Sequence, residues 1–138
     1  MIQAKAIKNI PFTGKNVEVT ELIWNYDGAV IDVYCPSEEK TVKVRFKNEF
    51  GSCAVRLLDE TDLSDYWKNL NMSGGWLYKV TSGGWFDSES QRDGFIMRDA
   101  PGIEEFMVVG LDACVSVFTK DKVELLSGDG EILTEIAT

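Results

Sequence analysis

The sequence predicts an α+β fold: a single domain with a largely antiparallel β-sheet, one main helix near residues 60–70 and a short helical turn near residues 87–93. Three observations support this prediction. Apolar and polar residues alternate through the first half, helical apolar spacing occurs once, and the last third contains short apolar runs. The length of 138 residues fits one domain of ordinary size.

The first half predicts four strands in two hairpins. Alternation of this kind is typical of strands that bury one face, and Asp27-Gly28 is a dipeptide that favours a hairpin turn. A second hairpin is expected to turn through Asn48–Gly51. The predicted strands cover residues 17–24, 29–34, 41–46 and 52–58.

The main helix is predicted from apolar residues spaced at i, i+3, i+4 and i+7, which share one helix face. These residues are Leu63, Tyr66, Trp67 and Leu70, with Asp59 or Thr61 as the candidate N-cap. Negative charge is favoured in the first turns of a helix. The carboxylates of Glu60, Asp62 and Asp65 therefore suit this start.

Two Gly-Gly-Trp triplets mark the centre of the chain, at residues 74–76 and 83–85. A strand is expected at residues 76–81, followed by the short helical turn, which Asp87 or Ser88 would cap and Gly94 would end. Trp76 and Trp85 are each either a core residue or an anchor of a binding loop. The sequence leaves both interpretations open.

The last third predicts a return to strands. The nearly continuous apolar run at residues 105–109 is typical of a strand that is buried on both faces. Strands are also expected at residues 114–119 and 123–126, and a tight turn at Asp121-Lys122 is expected to pair the second back on the first. The final segment, residues 132–136, is expected at a sheet edge.

The composition excludes most common catalytic chemistry. The chain has no histidine, which removes Ser-His-Asp triads, Cys-His pairs and His-ligated metals. Cys35, Cys53 and Cys114 are odd in number and lack a C-x-x-C spacing. The acidic segment that begins at Asp87 lacks the glycine and glutamate of a calcium loop, and Asp87 with Glu89 is weak support for a glycosidase. We therefore expect no enzyme activity, no cofactor and no metal.

Charge is distributed unevenly along the chain. The net charge is −9, with +1 over residues 1–56 and −10 over residues 57–138. Such a protein repels nucleic acid and anionic lipid and complements a cationic protein partner, although high net charge also serves solubility alone. The sequence contains neither a signal peptide nor an apolar stretch of membrane-spanning length, so a cytoplasmic protein with free thiols is expected.

The tract from Gly75-Trp76-Leu77-Tyr78 to Gly94-Phe95, followed by residues 105–110 and 114–117, resembles small bacterial proteins regarded as immunity-type inhibitors of secreted toxins. The resemblance covers about residues 53–118. It implies a non-catalytic domain that binds a cognate bacterial toxin, often a basic nuclease.

The sequence thus predicts an acidic protein that binds a cationic partner. The contacts are expected from Trp85, Asp87, Glu89, Arg92 and Asp93, with Glu60, Asp62 and Asp65 as charges at the rim. One alternative is a domain that binds a small molecule or glycan through exposed tryptophan. Another is an assembly subunit without chemistry of its own.

Overall fold

The computed structural model describes residues 2–13, 16–49, 54–59 and 75–136. Strands make up 55% of these residues and helix makes up 8%, so the described part of the chain is nearly all β. The predicted α+β class is therefore wrong. The predicted main helix at residues 60–70, which includes Glu60, Asp62 and Asp65, lies outside the described residues.

Ten strands and two short helices follow one another along the described chain. They are β1 (Gln3–Ala6), β2 (Glu18–Asn25), β3 (Gly28–Cys35), β4 (Lys40–Lys47), β5 (Ala54–Asp59), β6 (Leu77–Ser82), α1 (Trp85–Glu89), a 3₁₀ helix (Ile96–Asp99), β7 (Glu104–Val109), β8 (Ala113–Thr119), β9 (Val123–Ser127) and β10 (Ile132–Ile136). The strands form two antiparallel sheets of five, one in the order β1-β6-β7-β8-β5 and the other in the order β10-β9-β4-β3-β2.

The main core lies between the two sheets. Ile31, Val44 and Phe46 of the second sheet and Phe106 and Val115 of the first sheet belong to one apolar cluster, each at most 1% exposed. The rings of Phe46 and Phe106 lie 6.0 Å apart. Because this cluster draws on both sheets, the molecule is a β-sandwich in which alternate residues of each strand point inward.

The first sheet is buried on both faces along its central strands. A second cluster, which includes Tyr78, Met107, Val109 and Cys114, covers the face that points away from the sandwich core. Every residue from Glu105 to Val109 is buried. The prediction of a doubly buried strand at this position is confirmed.

The first predicted hairpin is confirmed. Asn25 and Gly28 close the turn between β2 and β3. Gly28 has a φ of +128°, and an added Cβ would lie 2.0 Å from the carbonyl oxygen of Phe46. This turn therefore requires glycine, both for its backbone angle and for the close approach of β4.

Two other predicted pairings are wrong. The strands at 41–46 and 52–58 were expected to pair with each other, but β4 pairs with β3 and β9, whereas β5 pairs with β8 in the other sheet. The turn at Asp121-Lys122 likewise joins two sheets, since β8 pairs with β7 and β9 pairs with β4. Alternation specifies which face of a strand is buried, and a short connection can serve a hairpin or a crossing between sheets.

The predicted helical turn at residues 87–93 is displaced. The α-helix runs from Trp85 to Glu89, with Gly84 as its N-cap and Ser90 as its C-cap. Asp87 and Ser88 are inside the helix, and Gly94 does not end it. The cause is Glu105, whose side chain accepts the first helical N–H groups from a distant strand.

Candidate functional site

The predicted contact residues lie on and after α1, between β6 and β7. Trp85 is partly buried, and its ring packs 4.4 Å from the ring of Phe118. The indole N–H donates to Glu89 Oε1 at 3.3 Å, and the guanidinium of Arg56 lies 5.2 Å from the indole centroid. The ring thus packs on the first sheet against Phe118 and Arg56, as a packing element of this loop.

The polar members of the predicted site bind one another. Asp87 Oδ2 accepts the N–H of Gly83 at 2.6 Å. Arg92 Nε donates to Glu89 Oε2 at 2.9 Å, and this bond lowers the pKa of the Glu89 carboxyl. Asp93 is exposed. The structure brings these residues into one loop, where Asp87, Glu89 and Arg92 form hydrogen bonds or an ion pair within that loop.

The other candidate tryptophan is a core residue. Trp76 is fully buried, donates its indole N–H to the carbonyl oxygen of Pro11 at 2.8 Å, and packs 6.2 Å from Phe12. Of the tryptophans in the described ranges, the exposed one is Trp24, at 59%. Trp24 was predicted only as the end of a strand.

Sequence reasoning missed Glu105, a carboxylate that is 5% exposed in the middle of the first sheet. Its Oε1 accepts the N–H of Phe86 at 2.8 Å, and its Oε2 accepts the N–H of Trp85 at 3.0 Å. Burial raises the pKa of the Glu105 carboxyl, against the opposing effect of these bonds and of Arg56. The feature of the sequence that could have indicated Glu105 is its position as an acidic residue at the start of the apolar run 105–109.

A cavity of about 390 Å³ opens beside Glu105, and Glu104, Lys79 and Asp87 also line it. Lys79 pairs with Glu104 at 3.2 Å. The two oxygens of Glu105 are both occupied by backbone donors at the start of α1. The arrangement therefore explains how the loop is held against the sheet and points to no catalytic step.

Some acidic residues of the later chain are held within the fold. Glu124 is 2% exposed and binds Arg45 at 2.9 Å; burial opposes ionisation there, but Arg45 and Lys47 lower the pKa of the Glu124 carboxyl overall. Asp112 accepts the N–H of Val19. Several of the counted charges thus serve contacts within the fold.

Three carboxylates of the last third of the chain lie at the two ends of β9. Asp121 precedes β9, whereas Asp129 and Glu131 follow it. The two groups are separated by the five residues of β9, about 17 Å of extended strand. Asp121 therefore lies at the opposite end of β9 from Asp129 and Glu131.

An apolar groove lies instead between the edge strands β2 and β5, on the same side of both sheets. We call it the edge groove: it has a volume of about 450 Å³ and is lined by Leu22, Trp24, Ala54, Val55 and Leu57. Trp24 and Leu57 are 59% and 53% exposed. Large apolar side chains that remain open at one site are typical of a binding surface.

Exposed apolar residues continue beyond the edge groove. Ile23 on β2 is 48% exposed and Tyr26 in the following turn is 90% exposed. Tyr26 lines a further depression with Arg45 and Lys47, whose side chains bind Glu124. Tyrosine and tryptophan are enriched among the residues that dominate binding energy.

The charge beside the edge groove is negative. The segment from Glu18 to Asp27 contains Glu18, Glu21 and Asp27 and has no lysine or arginine. On β5, Arg56 lies over the ring of Trp85 on the outer face of the first sheet, whereas Val55 lines the groove. An apolar site with this border suits a partner that carries positive charge.

A second apolar cavity, of about 480 Å³, lies at the end of the sandwich where β9 turns into β10. Phe12, Val42 and Leu133 contribute apolar surface, and Glu38 and Lys40 contribute opposite charges. Phe12 has a φ of +64°, which is unusual for a bulky residue. The bond from Trp76 to Pro11 holds the preceding residue in place.

Comparison with family models, with curated proteins and with solved structures found no match. The predicted resemblance to immunity-type inhibitors of toxins thus gains no support. Within the described ranges, no group of three or more cysteine or acidic side chains could hold a metal ion. Searched over the same residues, the structure contains no helix with the length and apolar character needed to cross a membrane.

Proposed function

We propose that this protein is a non-catalytic binding protein that recognises a cationic protein partner through the edge groove. One observation carries the proposal: exposed Trp24 and Leu57 line an apolar groove, and the adjoining segment from Glu18 to Asp27 carries three carboxylates and no cation. The apolar side chains would supply most of the binding energy, and the carboxylates would speed association and select against acidic partners.

This proposal keeps the predicted class of partner and moves the site. Trp85, Asp87, Glu89 and Arg92 are engaged within their own loop, so we assign them to holding that loop. We also place the protein in the cytoplasm, a compartment suited to the free thiols of Cys35 and Cys114.

The proposal is tested by affinity capture from an extract of the source organism at low and high salt. Immobilised wild-type protein is compared with Trp24→Ser, which removes the exposed indole from the groove. Asp129→Asn is the matched control, since Asp129 lies in the turn after β9 and does not line the edge groove. Circular dichroism confirms that the three proteins are folded.

We expect wild type and Asp129→Asn to capture the same basic protein, and Trp24→Ser to fail to capture it. High salt should release the captured protein, because salt screens the attraction between opposite charges. Equal capture by Trp24→Ser would reject the edge groove as the site. Capture of an acidic partner, or capture unaffected by salt, would reject the electrostatic part.

A further inference from the structure

The described sheets leave four strands with one open side: β1 and β5 in the first sheet, and β10 and β2 in the second. An open strand presents unpaired N–H and C=O groups that can bind another strand. β1 has four residues, β5 has six, and β10 has five with a register shift between Ile132 and Thr134. β2 has eight, with a register shift between Val19 and Glu21, and is the longest open strand of this part of the chain.

One end of β2 is already covered. The N–H of Val19 donates to Asp112 Oδ1 at 3.0 Å, and the N–H of Leu111 donates to the carbonyl oxygen of Val17 at 2.9 Å. The segment from the β7–β8 connection therefore occupies the edge as far as Val19. The six residues from Thr20 to Asn25 extend beyond this cover.

On the outer face of the second sheet, the row of charged side chains ends at this edge with a carboxylate that has no ion-pair partner among the described residues. Lys43 lies opposite Asp32, and Asp32 lies opposite Glu21. Lys43 Nζ binds Asp32 Oδ2 at 3.0 Å, whereas Glu21 forms no ion pair with any residue in the described ranges. Two carboxylates thus face each other across β2 and β3, an unfavourable pairing that a cation on an added strand would offset.

The other face of the same segment is apolar. Leu22 and Trp24 line the edge groove together with Leu57 of β5. A strand that pairs with β2 would therefore present apolar residues toward the groove and basic residues toward Glu21. Because side chains alternate along a strand, the fitting sequence alternates apolar and basic residues.

We infer that the partner binds by adding a strand to β2 between Thr20 and Asn25, through a segment that alternates apolar and basic residues. This inference rests on the proposed function and specifies how the cationic partner is held. Main-chain hydrogen bonds would supply the register, and the edge groove would select apolar side chains on one face of the added strand.

The inference is tested with three synthetic peptides and the unmodified protein. The first is a seven-residue peptide that alternates valine and lysine. The second has the same side chains and N-methyl groups on alternate backbone amides. The third carries glutamate in place of lysine. Affinity is measured by fluorescence anisotropy, and amide exchange of β2 is followed by nuclear magnetic resonance.

The lysine peptide should bind, slow the exchange of amides between Thr20 and Asn25, and lose about tenfold in affinity when N-methylation removes its edge donors. Glu21→Gln should weaken binding about threefold, because one exposed charge contributes modestly. Glu131→Gln, on the far turn, should leave the affinity unchanged.

Three results would overturn strand addition. The first is equal binding of the N-methylated peptide, and the second is no binding of the lysine peptide. The third is protection of the β2 amides that rises with protein concentration alone, because that result would assign the β2 edge to a second copy of the chain. With any of these, capture of a basic partner can still support the proposed function. Equal binding of the glutamate peptide would contradict the preference for positive charge on which both proposals depend.

Discussion

Replacement of Glu105 tests how the loop between β6 and β7 is held. Glu105→Ala removes the acceptor of two helical N–H groups, those of Trp85 and Phe86, at a side chain that is 5% exposed. Each buried donor left without a partner costs about 1–3 kcal/mol. The release of a buried carboxylate offsets part of this cost, so we expect a net loss of about 2–4 kcal/mol in the free energy of unfolding.

The dependence of the free energy of unfolding on pH is a second, independent test of the role of Glu105. Burial raises the pKa of the Glu105 carboxyl above its ordinary value of 4.5 in the folded state. The folded protein therefore binds this proton more tightly than the unfolded chain does. The contribution of Glu105 to stability is largest at low pH and decreases as pH rises from 4.5 through the raised pKa.

The assay is urea denaturation followed by circular dichroism between pH 4.5 and 7.5, with wild type, Glu105→Ala, Glu105→Gln and the control Glu104→Gln. Glu104 lies next in sequence, is partly buried, and binds Lys79 rather than the helix. The stability of wild type relative to Glu105→Gln should fall as pH rises. A pH-independent difference, or equal losses for Glu104→Gln and Glu105→Ala, would refute the assignment.

Three further predictions concern packing and thiol chemistry. A methyl group at Gly84 would lie 2.6 Å from a carboxylate oxygen of Glu105, so Gly84→Ala should lower the free energy of unfolding by about 1–3 kcal/mol in urea denaturation. Gly94→Ala, where the nearest neighbour of the new methyl group is 3.6 Å away, should leave it unchanged. Trp76→Phe removes the bond to Pro11 and leaves a void, for an expected loss of about 2–4 kcal/mol in urea denaturation; a loss below about 1 kcal/mol would show that the bond and the packing matter little. Burial raises the pKa of the Cys114 thiol to about 12, so peptide mapping should find it alkylated at neutral pH only after unfolding, and labelling of the native protein would contradict this.

The sequence predicted the strands better than their partners. Regular alternation in β3 and β4, at Ala29–Tyr34 and Thr41–Phe46, matches the inward and outward faces of these strands. The sheet to which each strand belongs depends on contacts between distant residues, as in the pairing of Ala54 with Phe118. Local alternation contains no information on that choice, so one sheet was predicted where two form.

The candidate site was harder to predict for a related reason. Trp85 stood out because it follows two glycines, yet its ring packs against Phe118 and Arg56, from two different strands of the first sheet. Trp24 was unremarkable in sequence because it ends an alternating strand. Its exposure arises from the position of β2 at the edge of a sheet, which is a property of the assembled fold.

The same reasoning changes what the net charge of the chain means. The later half carries −10, but Glu105 and Glu124 are buried and held by donors within the fold. The carboxylates beside the edge groove, such as Glu21, come from a half whose net charge is only +1. A partner at this site responds most strongly to the charges nearest β2, because salt weakens the effect of charges that lie farther away. Charge changes on β2 should therefore alter binding more than equal changes at the turn that contains Asp129.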